Sequence, residues 1–182
     1  MKHTLVALVR DEPGVLNRVS SMFRRRGFNI ASLSVGQSEQ PGLSRMTFMV
    51  DGDSATVEQV TKQMNKLIDV IRVADISAEP IVAREMALIK VRATAQTRSE
   101  IIQLVDIFRA NIVDVAYDSA IIEVTGDEDK VNSLLTLLRP FGVREVMRTG
   151  RVAMTRGALT SQSTEQGRSG TNGAKLPQDV DS

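Results

Sequence analysis

Cysteine is absent from the 182-residue chain, so disulfides, thiolate nucleophiles and cysteine-ligated metals are excluded. There is one histidine, His3, just ahead of the first apolar run. A Ser-His-Asp triad and a histidine-rich metal site are excluded with it. Aromatic residues make up 3% of the chain and tryptophan is missing, which leaves no platform for stacking nucleic-acid bases. Lys plus Arg (23) nearly cancels Asp plus Glu (22), so no broad charge footprint exists for nucleic acid or an anionic membrane. No apolar run approaches the roughly 18 residues of a membrane span. The opening MKHTLVALVRDE has a short apolar run followed by acids and reads as a strand, not a signal peptide. A cytoplasmic protein is the expectation.

What the chain does contain is periodic apolar sequence. His3 to Arg10 reads as a strand. After Pro13-Gly14, the positions Val15, Leu16, Val19, Met22 and Phe23 recur as one helix face, and Arg24 to Arg26 crowd its end before Gly27. Asn29 to Gln37 and Leu43 to Val50 read as two strands around the turn Pro41-Gly42. Asp53 or Ser54 caps a helix carrying Val57, Val60, Met64 and Leu67, and Val70 to Ser77 closes a β-α-β-β-α-β unit.

Beyond a connector at Ala78 to Arg84 the order repeats. Glu85 to Ala93 is a strand. Thr97-Arg98-Ser99-Glu100 is a capping-box sequence opening a helix with Ile101, Leu104, Val105 and Phe108. Two short strands follow, then a helix capped by Asp127 and ended by Pro140 and Gly142, then a last strand at Val143 to Arg148. The segment Arg26-Gly27-Phe28-Asn29-Ile30 is echoed by Arg109-Ala110-Asn111-Ile112. The fold class expected is therefore α/β (α+β), two tandem ferredoxin-like βαββαβ sandwiches at residues 1–78 and 79–157. Sandwiches this small associate through open strand edges and sheet faces. Residues 158–182 are rich in Ser, Gln, Gly and Thr and read as a disordered tail.

The stretch LVRDEPGVL, Leu8 to Leu16, carries the chemistry. A helix start presents unpaired N–H groups and a partial positive charge, where a carboxylate docks. Gly14 lets a ligand approach the backbone, and Asp11 can accept from an ammonium group. Val15, Leu16 and Ile30 are candidates to line an apolar slot, with Asn29 offering an amide donor and acceptor. That set suits a free α-amino acid. Residue chemistry alone leaves open a plain turn with acids near a helix start. An RNA-recognition module would need aromatics on its central strands. An acylphosphatase-type enzyme would want cations where Asp11 and Glu12 stand. The carboxylate clusters at Asp51 to Asp53 and Asp127 to Asp129 are explained by capping. The counterpart turn of the second half, Thr94 to Ser99, lacks a glycine and acids, so no second amino-acid notch is expected there.

Arg10-Asp11-Glu12-Pro13-Gly14-Val15-Leu16, followed by Arg26-Gly27-Phe28-Asn29-Ile30, resembles an ACT domain. With Leu43-Ser44-Arg45-Met46-Thr47, Lys66-Leu67-Ile68-Asp69-Val70 and Arg84-Glu85-Met86-Ala87-Leu88-Ile89-Lys90-Val91, residues 2 to 157 resemble the small, regulatory subunits of acetolactate (acetohydroxyacid) synthase. The resemblance implies a non-catalytic regulator of branched-chain amino-acid synthesis. It implies a homodimer through ACT domains that activates a catalytic large subunit and confers feedback inhibition by valine. It implies no cofactor in this chain; thiamine diphosphate, magnesium and FAD belong to the catalytic partner. Valine is expected to bridge Asp11 and Gly14 of one chain and Asn29 of a neighbour, with Val15, Leu16 and Ile30 as the candidate slot for its side chain. Asp11 stands where bacterial relatives often have asparagine. The alternative is another ACT-type amino-acid sensor with no synthase partner.

Overall fold

Leu5, Ala7 and Val9 alternate with Thr4, Val6 and Leu8, and that period of two sends one set under the helices and the other to the opposite face. The strand they form is β1 (Lys2–Arg10) of a computed structural model that describes residues 1–157. The tail expected at 158–182 lies outside the described residues. The first sandwich continues with α1 (Val15–Arg26), β2 (Ile30–Gln37), β3 (Leu43–Asp51), α2 (Ser54–Met64) and β4 (Val70–Asp75). Its antiparallel sheet has the order β2-β3-β1-β4. The second contains β5 (Ile81–Arg92), α3 (Arg98–Ile107), β6 (Asn111–Val115), β7 (Ser119–Gly126), α4 (Glu128–Gly142) and β8 (Val143–Arg148), in the equivalent order β6-β7-β5-β8. The two ferredoxin-like sandwiches expected from the sequence are therefore present. No helix among the described residues is long and apolar enough to cross a membrane.

Each core lies between the helices and one sheet face. In the first, Phe23 of α1 stacks on Phe48 of β3 with ring centroids 5.5 Å apart, and Met22, Met46 and Met64 fill around them. The fully buried part of the second core is aliphatic, built on Ile89, Ile101, Ile122, Leu134 and Leu138. Asp53 and Asp127 cap α2 and α4 as expected, each accepting at 2.8 Å from the N–H three residues on.

Four details differ from the sequence reading. First, β5 starts at Ile81, inside the expected connector, because its first four residues pair with an unforeseen strand, β9 (Val152–Thr155). Second, this ribbon is tied to the first sandwich. Arg151 donates from its backbone N–H to Ser32 Oγ at 3.1 Å and from Nη1 to Thr4 Oγ1 at 3.4 Å, while Lys2 of the first sandwich pairs with Glu128 of the second at 2.8 Å. Thr4, Thr47 and Met49, on the sheet face away from the helices, are buried. Third, Thr97 does not form a capping box; its hydroxyl accepts from the Thr94 N–H instead. Fourth, α4 runs through Pro140 and ends only at Gly142, whose φ is +97°.

The echoed helix ends can now be aligned. Gly27 is left-handed at φ +71°, its N–H bonding to Arg24 O and that of Phe28 to Phe23 O. Arg109 makes the same turn at φ +49°, with the Ala110 N–H on Val105 O. Arg109 thus holds the glycine position, which brings Asn111 opposite Asn29.

Candidate functional site

The corner between β1 and α1 is pinned on both sides. The Arg10 N–H donates to Asp69 O and the Asp11 N–H to Gly42 O, both at 2.8 Å. Gly14 then takes the N-cap position of α1 with φ +88°, a conformation that costs most side chains about 1 kcal/mol or more. A glycine cap has no side chain to accept from the helix. The Arg18 N–H reaches Gly14 O at 3.0 Å, but the N–H groups of Leu16 and Asn17 have no acceptor among the described residues. The result is a bare helix tip with partial positive charge.

Asp11 stands beside this tip, exposed, its carboxylate without a partner among the described residues. Glu12 is turned to Arg10 at 3.6 Å. Val15 is 3% exposed and belongs to the core, so it holds the tip in place more than it lines it, whereas Leu16 is half exposed.

Asn29 and Ile30 are not part of this corner within one chain. Arg10 pairs with Leu43 at one end of β3, and Ile30 pairs with Val50 at the other. Seven residue steps along β3 at about 3.4 Å each put the two groups roughly 24 Å apart. Asp11, Gly14, Val15 and Leu16 form one cluster, and Asn29 and Ile30 form another beside the edge strand β2. A slot shared by Leu16 and Ile30 needs two chains.

The structure adds a pair that sequence reasoning missed. Arg18 Nε donates to Asp69 Oδ2 at 2.5 Å, and the Asp69 side chain is 7% exposed. The Arg18 guanidinium also lies over the glycine, since a Cβ on Gly14 would sit 3.3 Å from Arg18 Nη1. A signal was available. A cation in the first turn of a helix opposes the helix dipole, and a buried acid needs a partner. The corner therefore offers free N–H donors, one free carboxylate and one guanidinium that is half exposed. Those groups suit a small zwitterion.

Comparison with known proteins places the chain. Residues 5–72 match the family described as AHAS small subunit-like ACT domain, and residues 84–157 match that described as small subunit of acetolactate synthase. A probable acetolactate synthase small subunit of Archaeoglobus fulgidus is 58% identical over 157 residues, covering 86% of this chain and 98% of that protein. The acetolactate synthase small subunit of Mycolicibacterium smegmatis is 53% identical, covering 85% and 91%. The crystal structure of the Thermotoga maritima acetolactate synthase small subunit is similar at a TM-score of 0.81 and 49% identity, over 86% of this chain and 98% of that one. The chain belongs to the acetolactate synthase small-subunit family, with an ACT domain in its first half.

Proposed function

We propose that this regulatory subunit senses valine at the Gly14 corner and passes that signal to a catalytic large subunit of acetolactate synthase. In the bound state the valine carboxylate docks on the free N–H groups of Leu16 and Asn17, and Asp11 takes the ammonium. Leu16 meets the side chain from one chain. Asn29 and Ile30 meet it from a second copy, since one chain holds them about 24 Å away. Valine then favours one arrangement of paired ACT domains. A coupling of ~1–3 kcal/mol between that arrangement and the catalytic partner is enough for feedback inhibition. Without valine the chain activates the partner, whose chemistry depends on thiamine diphosphate, magnesium and FAD. The observation that carries this reading is the bare helix tip at Gly14 beside an unpaired Asp11 carboxylate.

The test is calorimetric titration of valine into the pure chain and its variants. Wild type should bind saturably. Asn29→Ala should bind at least tenfold more weakly, the loss of about 1.4 kcal/mol expected of a hydrogen bond to a charged group. Gly14→Asp should abolish binding by placing a carboxylate where the ligand's must dock, yet still activate the large subunit. Valine affinity unchanged in both variants would refute the site. Binding that persists with no effect on the synthase would favour an amino-acid sensor with another partner.

A further inference from the structure

The turn from β5 into α3 occupies, in the second sandwich, the place that the Gly14 corner holds in the first. It opens into a cavity of about 780 Å³ lined by three arginines, Arg92, Arg98 and Arg144. Arg98 is anchored, its Nη2 donating to the carbonyl oxygens of Ala93, Ala116 and Tyr117 at 3.2, 2.9 and 2.9 Å. Its Nε is buried and lacks a partner among the described residues. Arg144 pairs with Asp118 at 2.6 Å, and that hydrogen bond holds the Asp118 carboxyl below its ordinary range. The Arg92 guanidinium makes no ion pair or hydrogen bond among the described residues. Because Thr97 turns its hydroxyl to Thr94, the Ser99 and Glu100 N–H groups at the tip of α3 also lack an acceptor.

Three cations thus face one acid beside the positive end of a helix, and Arg98 is itself the first residue of that helix. The excess of positive charge that this leaves favours an anion. We propose that the cavity binds the phosphate group of a small molecule, as free phosphate or a phosphate monoester. Near neutral pH that group carries close to two negative charges and accepts several hydrogen bonds at once, matching guanidinium forks and free backbone N–H groups. An amino acid is disfavoured because the one lining acid, Asp118, is already committed to Arg144. Tyr117, 97% exposed at the rim, offers a ring face to the organic part of an ester. The site does not depend on the reading of the Gly14 corner.

The experiment is amide NMR on the full-length chain, titrated at constant ionic strength with sodium phosphate and, separately, glycerol 3-phosphate. Saturable shifts confined to the amides of residues 92–100 and 116–119 are expected. Arg92→Gln should weaken binding about fivefold and Asp118→Asn should tighten it about as much, as the loss of one half-exposed charge in each direction requires. Equal affinity for the two ligands identifies free phosphate as the source. Tighter binding of the ester, lost in Tyr117→Ala, identifies a monoester. Shifts reproduced by chloride alone, or affinities unmoved in both charge variants, would overturn the proposal.

Discussion

The two strand-to-helix corners sit at the same point of the same topology and carry opposite chemistry. At the first, Arg10 and Arg18 are outnumbered by Asp11, Glu12 and Asp69, and the helix is capped by a glycine. At the second, Arg92, Arg98 and Arg144 outnumber Asp118, and the helix starts on an arginine. The fold supplies both with a helix tip and an open approach. The surrounding charges bias the two oppositely: the acidic corner suits the proposed zwitterion and the basic one the proposed phosphate. A repeated fold therefore does not imply a repeated ligand.

The same contrast can be broken or sharpened by mutation. The largest effect is expected at the buried anchor of the first corner. Asp69→Ala leaves Arg18 without its partner and should cost about 2 kcal/mol, read by urea denaturation; Arg18 is half exposed, which keeps the loss below that of a fully buried pair. A cost within error of zero would mean that Arg18 is held by water as well as by Asp69. Next come the paired helix ends. Gly27→Ala should destabilise by about 1 kcal/mol, whereas Arg109→Gly, which relieves a left-handed arginine, should stabilise by a similar amount. Changes of the same sign would show that the two turns are not equivalent.

The smallest effect concerns the contact between the sandwiches. The hydrogen bond from Lys2 holds the Glu128 carboxyl below its ordinary 4.5 despite partial burial, with the charges of Lys2 and Arg151 adding to it. A lowered folded value means that the group stabilises the protein fully above pH 4.5 and loses that contribution as pH falls through the lowered value. Glu128→Gln should therefore flatten the acid side of a melting-temperature profile slightly, by under about 1 kcal/mol, and leave the neutral side little changed in slope. An unaltered acid limb would show that Glu128 carries none of it.

Most strands and helices were legible because their signals are local. The stripe Val15, Val19, Met22 and Phe23 spells a helix without reference to anything else, and Asp53 and Asp127 mark helix starts within three residues of the N–H they accept. The β9 strand was not legible. VAMT is four residues long, too short for a period, and it exists because Ile81–Arg84 lies opposite it. The Thr97 capping box failed for a similar reason: a competing donor, the Thr94 N–H, took the hydroxyl. Pro140 stops short of ending α4, and Leu138, fully buried in the turn before it, continues the helix's apolar stripe into the core. At the candidate site, the glycine and the acids of the first corner could be named from their order in the chain, but the tie of Arg18 to Asp69, far along the chain, could not.

Residue order alone settled the alternation of strands and helices, the two cores and the place of Gly14 at a helix start, because each rests on neighbours a few positions apart. Folding in three dimensions settled which of those groups meet. It joined Arg18 to Asp69, brought three arginines around one cavity, and set Asn29 roughly 24 Å from the Gly14 corner of its own chain. Those distances follow from sheet register and burial, which depend on contacts between residues far apart in the chain and so leave no local trace.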